Sequence, residues 1–123
     1  MTLLDMIRGK KSGMNLLMSA PSVTEEDIEA NIAHEFYFNP SKAICSHFPH
    51  PMAPDDGVDS LKLMTICILV LRNGFTVMGS SACVSPDNYD EAVGMQIARK
   101  NAIEKVWPLM GYALMNRIAL RDV

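Results

Sequence analysis

A chain of 123 residues, 49% hydrophobic and 20% charged, is long enough to bury one core, too short for two, and globular rather than disordered in composition. Its formal charge of −3 excludes a global attraction for duplex nucleic acid or anionic lipid, so a phosphate-bearing partner has to be held locally. An odd count of three cysteines, Cys45, Cys67 and Cys83, with two of them in predicted strands, favours buried thiols in a reducing compartment over a disulfide framework, which makes the cytoplasm the default.

Residues 1–21 carry Gly9, Gly13 and Pro21 and no sustained period, and read as a mobile N-terminal arm preceding one domain over 22–123. Its basic residues follow the first apolar stretch, the reverse of a secretory signal. No apolar run reaches the roughly 18 residues that would predict a membrane span. Next, "SVTEEDIEANIAHEFYF" predicts a helix: Thr24 as N-cap, Glu25, Glu26 and Asp27 at the positive end of the helix dipole, and Val23 stapled onto Ile28. Ile28, Ile32 and Phe36 would then form one stripe at spacing four.

The connection "NPSKAICSHFPHPMAPDDGVD" is rich in proline and holds an Asp-Asp-Gly turn, with "KAICSHF" a candidate edge strand. "LKLMTICILVLRNGFTVMGSSACV" predicts an antiparallel hairpin. A two-residue Asn73-Gly74 turn would pair Arg72 with Phe75, Val70 with Val77 and Ile68 with Gly79. Met64, Ile66, Ile68, Val70, Arg72, Phe75 and Val77 would share one face, and Leu63, Thr65, Cys67, Leu69, Leu71 and Met78 the other, so both faces need cover. Isolated two-stranded sheets are marginal in water, which predicts that further elements or further copies of the chain complete this one.

Ser85 and Pro86 suit an N-cap and first helical position, and Tyr89, Val93, Ile97, Ile103, Val106 and Trp107 mark a helical stripe. Pro108 predicts a kink or break. The expected class is therefore α+β: an N-terminal helix, a hairpin extended by the edge strand, and a long C-terminal helix bent or broken near Pro108. An acidic first helix and a C-terminal segment with Arg99, Lys100, Lys105, Arg117 and Arg121 are complementary in charge, which favours a homo-oligomer.

Chemistry-bearing groups are sparse. Cys45, His47 and His50, with His34 upstream, are zinc-type ligands at a spacing that fits no familiar finger, and no metal site is expected. Cys83 lacks an evident base, Asp55-Asp56 is a turn, and Asp90-Glu91 belongs to a helix start. No P-loop, dinucleotide fingerprint, nucleophile elbow or H-E-x-x-H motif occurs, so neither an enzyme nor a cofactor is expected. A binding constellation remains: Arg72 near Phe75, Asn88 with Tyr89, and Arg99 with Asn101 offer charge, rings and amides that suit a base and a phosphate. Packing of the rings in the core is the more ordinary alternative.

"MTICILVLRNGFTVMGSSACVSPDNYDEAVGMQIARKNAIEKVWPLMGYAL", with "TEEDIEANIAHEFYF" upstream, resembles the signature of a widespread family of small tailed-phage proteins over residues 22–120. The shared marks are "NGF", "SAC", a Pro-Asx-Asn-aromatic-Asp helix start, "IAR-x-NA" and "WPL-x-GY". That grouping is similar to the first Thoeris anti-defence proteins of phages, sponges for cyclic nucleotide immune signals. The resemblance implies a non-enzymatic binder of cyclic ADP-ribose isomers or cyclic oligonucleotides in the host bacterial cytoplasm, assembled as a dimer or as a hexamer built from dimers. On matched positions its ligand candidates are Asn73, Phe75, Asn88, Tyr89, Arg99, Asn101 and Trp107, to which residue chemistry adds Arg72 and Lys105. Ser80 departs from the pattern, where an acid is expected, and removes a carboxylate contact to ribose there. The rival expectation is a phage accessory protein that binds and inhibits a host protein through its acidic helix and Met-rich surface.

Overall fold

The computed structural model describes residues 21–47 and 57–121. The expected arm, apart from Pro21, and the part of the connection holding His50 and Asp55-Asp56 lie outside the described residues.

Helix α1, Glu25–Asn31, begins as its sequence dictates. Thr24 Oγ1 accepts from Asp27 N at 3.1 Å while Asp27 Oδ2 accepts from Thr24 N at 2.9 Å, a reciprocal box that satisfies two orphan donors. Val23 and Ile28 are both buried. The helix is shorter than expected, because Ile32–Phe38 forms strand β1 instead of two more helical turns. Its β-branched and aromatic residues fit a pleated surface, and pairing with a neighbouring strand outweighs the spacing-four stripe that Ile28, Ile32 and Phe36 suggest.

The expected edge strand "KAICSHF" is instead part of helix α2, Pro40–His47. Asn39 is the reason. Its Oδ1 accepts from Lys42 N at 3.2 Å and its Nδ2 donates to Lys62 O at 2.8 Å, so it starts the helix while tying it to the chain ahead of the hairpin. Pro40 stands at the first helical position, where a missing N–H costs nothing.

Strands β2, Met64–Leu71, and β3, Thr76–Ala82, form the hairpin, and β1 joins it in a three-stranded antiparallel sheet ordered β1-β2-β3. The hairpin register differs from expectation by one residue on β3. Leu71 N donates to Phe75 O at 2.8 Å and Gly74 N to Leu71 O at 2.9 Å, so the loop holds Arg72, Asn73 and Gly74 rather than two residues. Gly74 has φ +88°, the left-handed conformation that a three-residue hairpin requires. Leu69 therefore faces Val77, and Ile68 faces Met78. A shift of one flips every side chain, so Val77 is buried with Leu69 while Met78 turns outward and is exposed.

Helix α3, Glu91–Arg121, covers the inner face of the sheet. It starts later than expected: Ser85 caps a single 3₁₀ turn, Pro86–Asn88, and Asp90 Oδ1 then accepts from Ala92 N at 3.0 Å. It runs through Pro108 without interruption. Of the expected stripe, Val106 and Trp107 are buried, but Val93 and Ile97 are exposed. The small residues Ala98 and Ala102 take the buried positions, because the helix backbone lies against Gly79 and leaves no room for larger side chains. Cys67, Leu69, Leu71 and Val77 complete this core with Val23 and Ile28.

The outer face carries Phe36, Phe38, Met64, Ile66, Ile68, Val70 and Met78, opposite the face on which α3 packs. At about 1.5 Å per residue, the 31 residues of α3 span roughly 46 Å, well beyond strands of eight residues or fewer at about 3.4 Å each. Its far half therefore overhangs the sheet, with Tyr112, Met115 and Leu120 exposed. No helix among the described residues is long and apolar enough to cross a membrane.

Candidate functional site

Two clefts flank α1. The first, about 720 Å³, lies between α1 and α3. Arg99 dominates it. Its Nη1 and Nη2 donate to the two carboxylate oxygens of Glu29 at 2.9 and 2.7 Å, and its Nε donates to Glu35 Oε2 at 3.0 Å. This fork joins α1, β1 and α3, so the expected charge complementarity between the acidic and basic helices is realised inside one chain. The Arg99 hydrogen bonds hold the Glu29 carboxyl below its ordinary value, and hydrogen bonding to Glu29 raises the Arg99 guanidinium further.

The same cleft is lined by Glu25, Glu26 and Glu104, with Lys100 its other cation and Trp107 its aromatic wall. Four carboxylates face two cations, one of them already neutralised twice. A phosphate group entering from solvent meets repulsion here.

The second cleft, about 510 Å³, opens between α1 and the residues before it, the hairpin loop and the C-terminal half of α3. Arg72 and Arg117 both line it, with Ser22 and Asn31 as polar neighbours and Met110 and Ala113 as apolar ones. Arg72 is oriented from both ends of its residue: its N–H donates to Asn31 O at 3.0 Å and its Nε to Ala30 O. Asp27, the cleft's carboxylate, is committed to the Thr24 amide. No ion pair involves Arg117 among the described residues, so the balance here favours an anion.

The sequence-expected residues do not converge on one site. Arg72 lines the second cleft, and Arg99 and Trp107 the first. Asn73 Oδ1 accepts from Phe75 N at 2.9 Å at the hairpin tip, where Phe75 is exposed. Asn88 and Tyr89 sit at the 3₁₀ turn before α3. Asn101 Nδ2 donates to Ser80 O at 2.7 Å and Lys105 Nζ donates to Met78 O, so both reach back to β3. Residue chemistry missed Arg117 as a partner of Arg72. Nothing in their 45-residue separation announces the pairing, which arises only when α3 crosses behind the loop.

Cys67 is buried and its thiol is pushed up by that burial; Cys83 Sγ donates to Ser85 O at 3.1 Å, and Cys45 is exposed. The phenol of Tyr37, beside Cys67 and Glu35, is pushed up to about 12, chiefly by burial. No group of three or more His, Cys, Asp or Glu that could hold a metal ion occurs among the described residues.

No curated protein and no solved structure matches the chain. A family model does, and it covers residues 23–118, from the first buried residue before α1 almost to the end of α3. The span takes in the three described strands, the whole first cleft and all of the second but Ser22, and by this match the chain belongs to the Phage protein (N4 Gp49/phage Sf6 gene 66) family.

Proposed function

We propose that this phage protein binds a small cyclic nucleotide signal and withholds it from a bacterial defence system, without turning it over. The observation that carries the reading is the second cleft, where Arg72 and Arg117 face one cavity and the one carboxylate among the described lining residues, Asp27, accepts from the Thr24 amide. Its volume of about 510 Å³ falls within the roughly 300–1,000 Å³ of small-molecule sites. Arginine forks suit the phosphate oxygens, and Met110 and Ala113 offer apolar surface to a base or ribose. The resemblance to phage anti-defence sponges supports the same ligand class. Sequestration requires tight binding rather than chemistry, and each tenfold gain in Kd corresponds to about 1.4 kcal/mol.

The test is a thermal-shift series of the full chain with cyclic dinucleotides, cyclic trinucleotides and cyclic ADP-ribose isomers. A ligand at 100 times its Kd should stabilise the fold by about 2.7 kcal/mol, and should be recovered chemically unchanged after denaturation. Silence across all three classes would remove the reading, and a converted ligand would replace sequestration with catalysis.

A second reading rests on the overhang of α3. Tyr112, Met115 and Leu120 are 72, 58 and 72% exposed, an apolar surface suited to a protein partner in the host. Inhibition of a host protein by docking of this half-helix would leave the thermal-shift series silent.

A further inference from the structure

The two edges of the sheet are not equivalent. Leu71 N bonds to Phe75 O, so the odd-numbered residues of β2 turn their backbone groups toward β3, and Met78 and Ser80 of β3 turn theirs outward. Those outward carbonyls are occupied: Asn101 donates to Ser80 O and Lys105 to Met78 O. Another strand cannot pair along β3 without displacing two side chains of α3.

Among the described residues the β1 edge has no such guard. Arg72 N donates to Asn31 O, which sets the even-numbered residues of β2 toward β1, so Glu35 and Tyr37 direct their backbone groups away from the sheet. No described residue bonds to those groups. The devices that usually blunt an edge, lysine and proline, are missing between Ile32 and Phe38. The one irregularity is the bulge between Ile32 and His34, which leaves five regular residues, 34–38, with Phe36 at their centre.

We propose that two copies of the chain pair β1 with β1 about a two-fold axis at Phe36, joining their sheets into one continuous antiparallel sheet. The side chains at that register are self-complementary. Phe36 meets its own mate on the outer face and His34 lies opposite Phe38, while on the inner face Glu35 lies opposite Tyr37. Phe36 is 57% and Phe38 38% exposed in the single chain, so the contact covers apolar surface as well as satisfying backbone groups. The rings of His34 and Phe36 already stand 6.3 Å apart in a tilted pair, which pre-forms part of the aromatic row. Glu35 shares the Arg99 guanidinium with Glu29 and lies opposite Tyr37 rather than its own mate, so repulsion between two copies of it near the axis is reduced. With β3 guarded, the pairing closes at two copies by this edge instead of propagating as a filament.

The experiment uses the full chain with Cys45→Ser to remove the exposed native thiol. Phe36→Cys places two thiols at a non-hydrogen-bonded antiparallel pair, about 4.5 Å between Cα atoms, a spacing that a disulfide tolerates. Under mild oxidation most of the chain should run as a covalent dimer, whereas Phe38→Cys should cross-link at most a tenth as fast. Phe36→Lys, at an exposed position that leaves the core untouched, should weaken the dimer at least tenfold by native mass measurement. A monomeric parent at micromolar concentration, or equal cross-linking at 36 and 38, would overturn the proposal. A dimer insensitive to Phe36→Lys would do the same.

Discussion

Gly79 of β3 lies directly against Ala102 of α3: a Cβ built on Gly79 would stand 2.2 Å from the Ala102 backbone nitrogen and 2.3 Å from the Ala98 carbonyl oxygen. Both obstacles are main chain, so no rotamer change relieves them. This single approach decides which face of α3 is buried and why that face carries alanine.

Gly79→Ala is therefore expected to cost about 3 kcal/mol or more, at the upper end of overpacking effects, as the helix is levered off the sheet. Gly94→Ala makes the contrast. Its Cβ would meet the Thr65 hydroxyl at 3.0 Å and the Ser81 hydroxyl at 3.4 Å, groups that can give slightly, and alanine in place of glycine favours a helix by about 1 kcal/mol. Urea denaturation should find Gly94→Ala within about 1 kcal/mol of the parent. Equal costs at the two positions would refute the close-approach account.

Acid should loosen α1. The folded Glu29 carboxyl is held below its ordinary value of 4.5 by Arg99, so its contribution is fully present above that value and is lost as pH falls through the lower folded one. Glu29 is 53% exposed, so solvent screening limits the pair to about 1 kcal/mol or less. Glu29→Gln should flatten the stability profile below about pH 4.5 by that amount. An unchanged acid limb in the variant would show that the fork contributes nothing.

Arg117→Ala separates binding from folding. No ion pair of Arg117 occurs among the described residues and its side chain is exposed, so stability should stay within about 0.5 kcal/mol of the parent. The stabilisation by a cyclic nucleotide should drop by at least tenfold in apparent Kd. Retention of full affinity by Arg117→Ala would move the site elsewhere on the molecule.

Removing the guards of β3 should change association rather than fold. The double variant Asn101→Ala with Lys105→Ala loses two hydrogen bonds to exposed carbonyls, about 1–2 kcal/mol together. It also leaves the β3 edge bare. Light scattering should then rise with concentration under conditions where the parent stays clear. A clear solution of the double variant would mean that these side chains do not protect the edge.

Much of the architecture was legible in the residues because local signals acted without competition. The Thr24 cap, the alternation along β2 and the glycine in the hairpin loop each depend on a few neighbouring positions. The errors fall where local signals were balanced. Ile32 and Phe36 fit a helical stripe as well as a strand, and the open side of β2 tipped that balance toward pairing. In "NPSKAIC" the Asn39-Pro40 start outweighed the strand propensity of the residues after it.

The clefts are another matter. Arg99 reads in sequence as an available cation beside an amide, yet two carboxylates from separate elements neutralise it; Asn101 and Lys105 read as ligand groups, yet they occupy carbonyls of β3. By itself the order of residues determined the α+β class, the start of α1 and the alternating faces of β2, because hydrogen-bond capping and side-chain period act over a handful of positions. Only the tertiary structure decided which cations remain unpaired and which edge of the sheet stays open, because those depend on groups brought together from 21 to 70 residues apart.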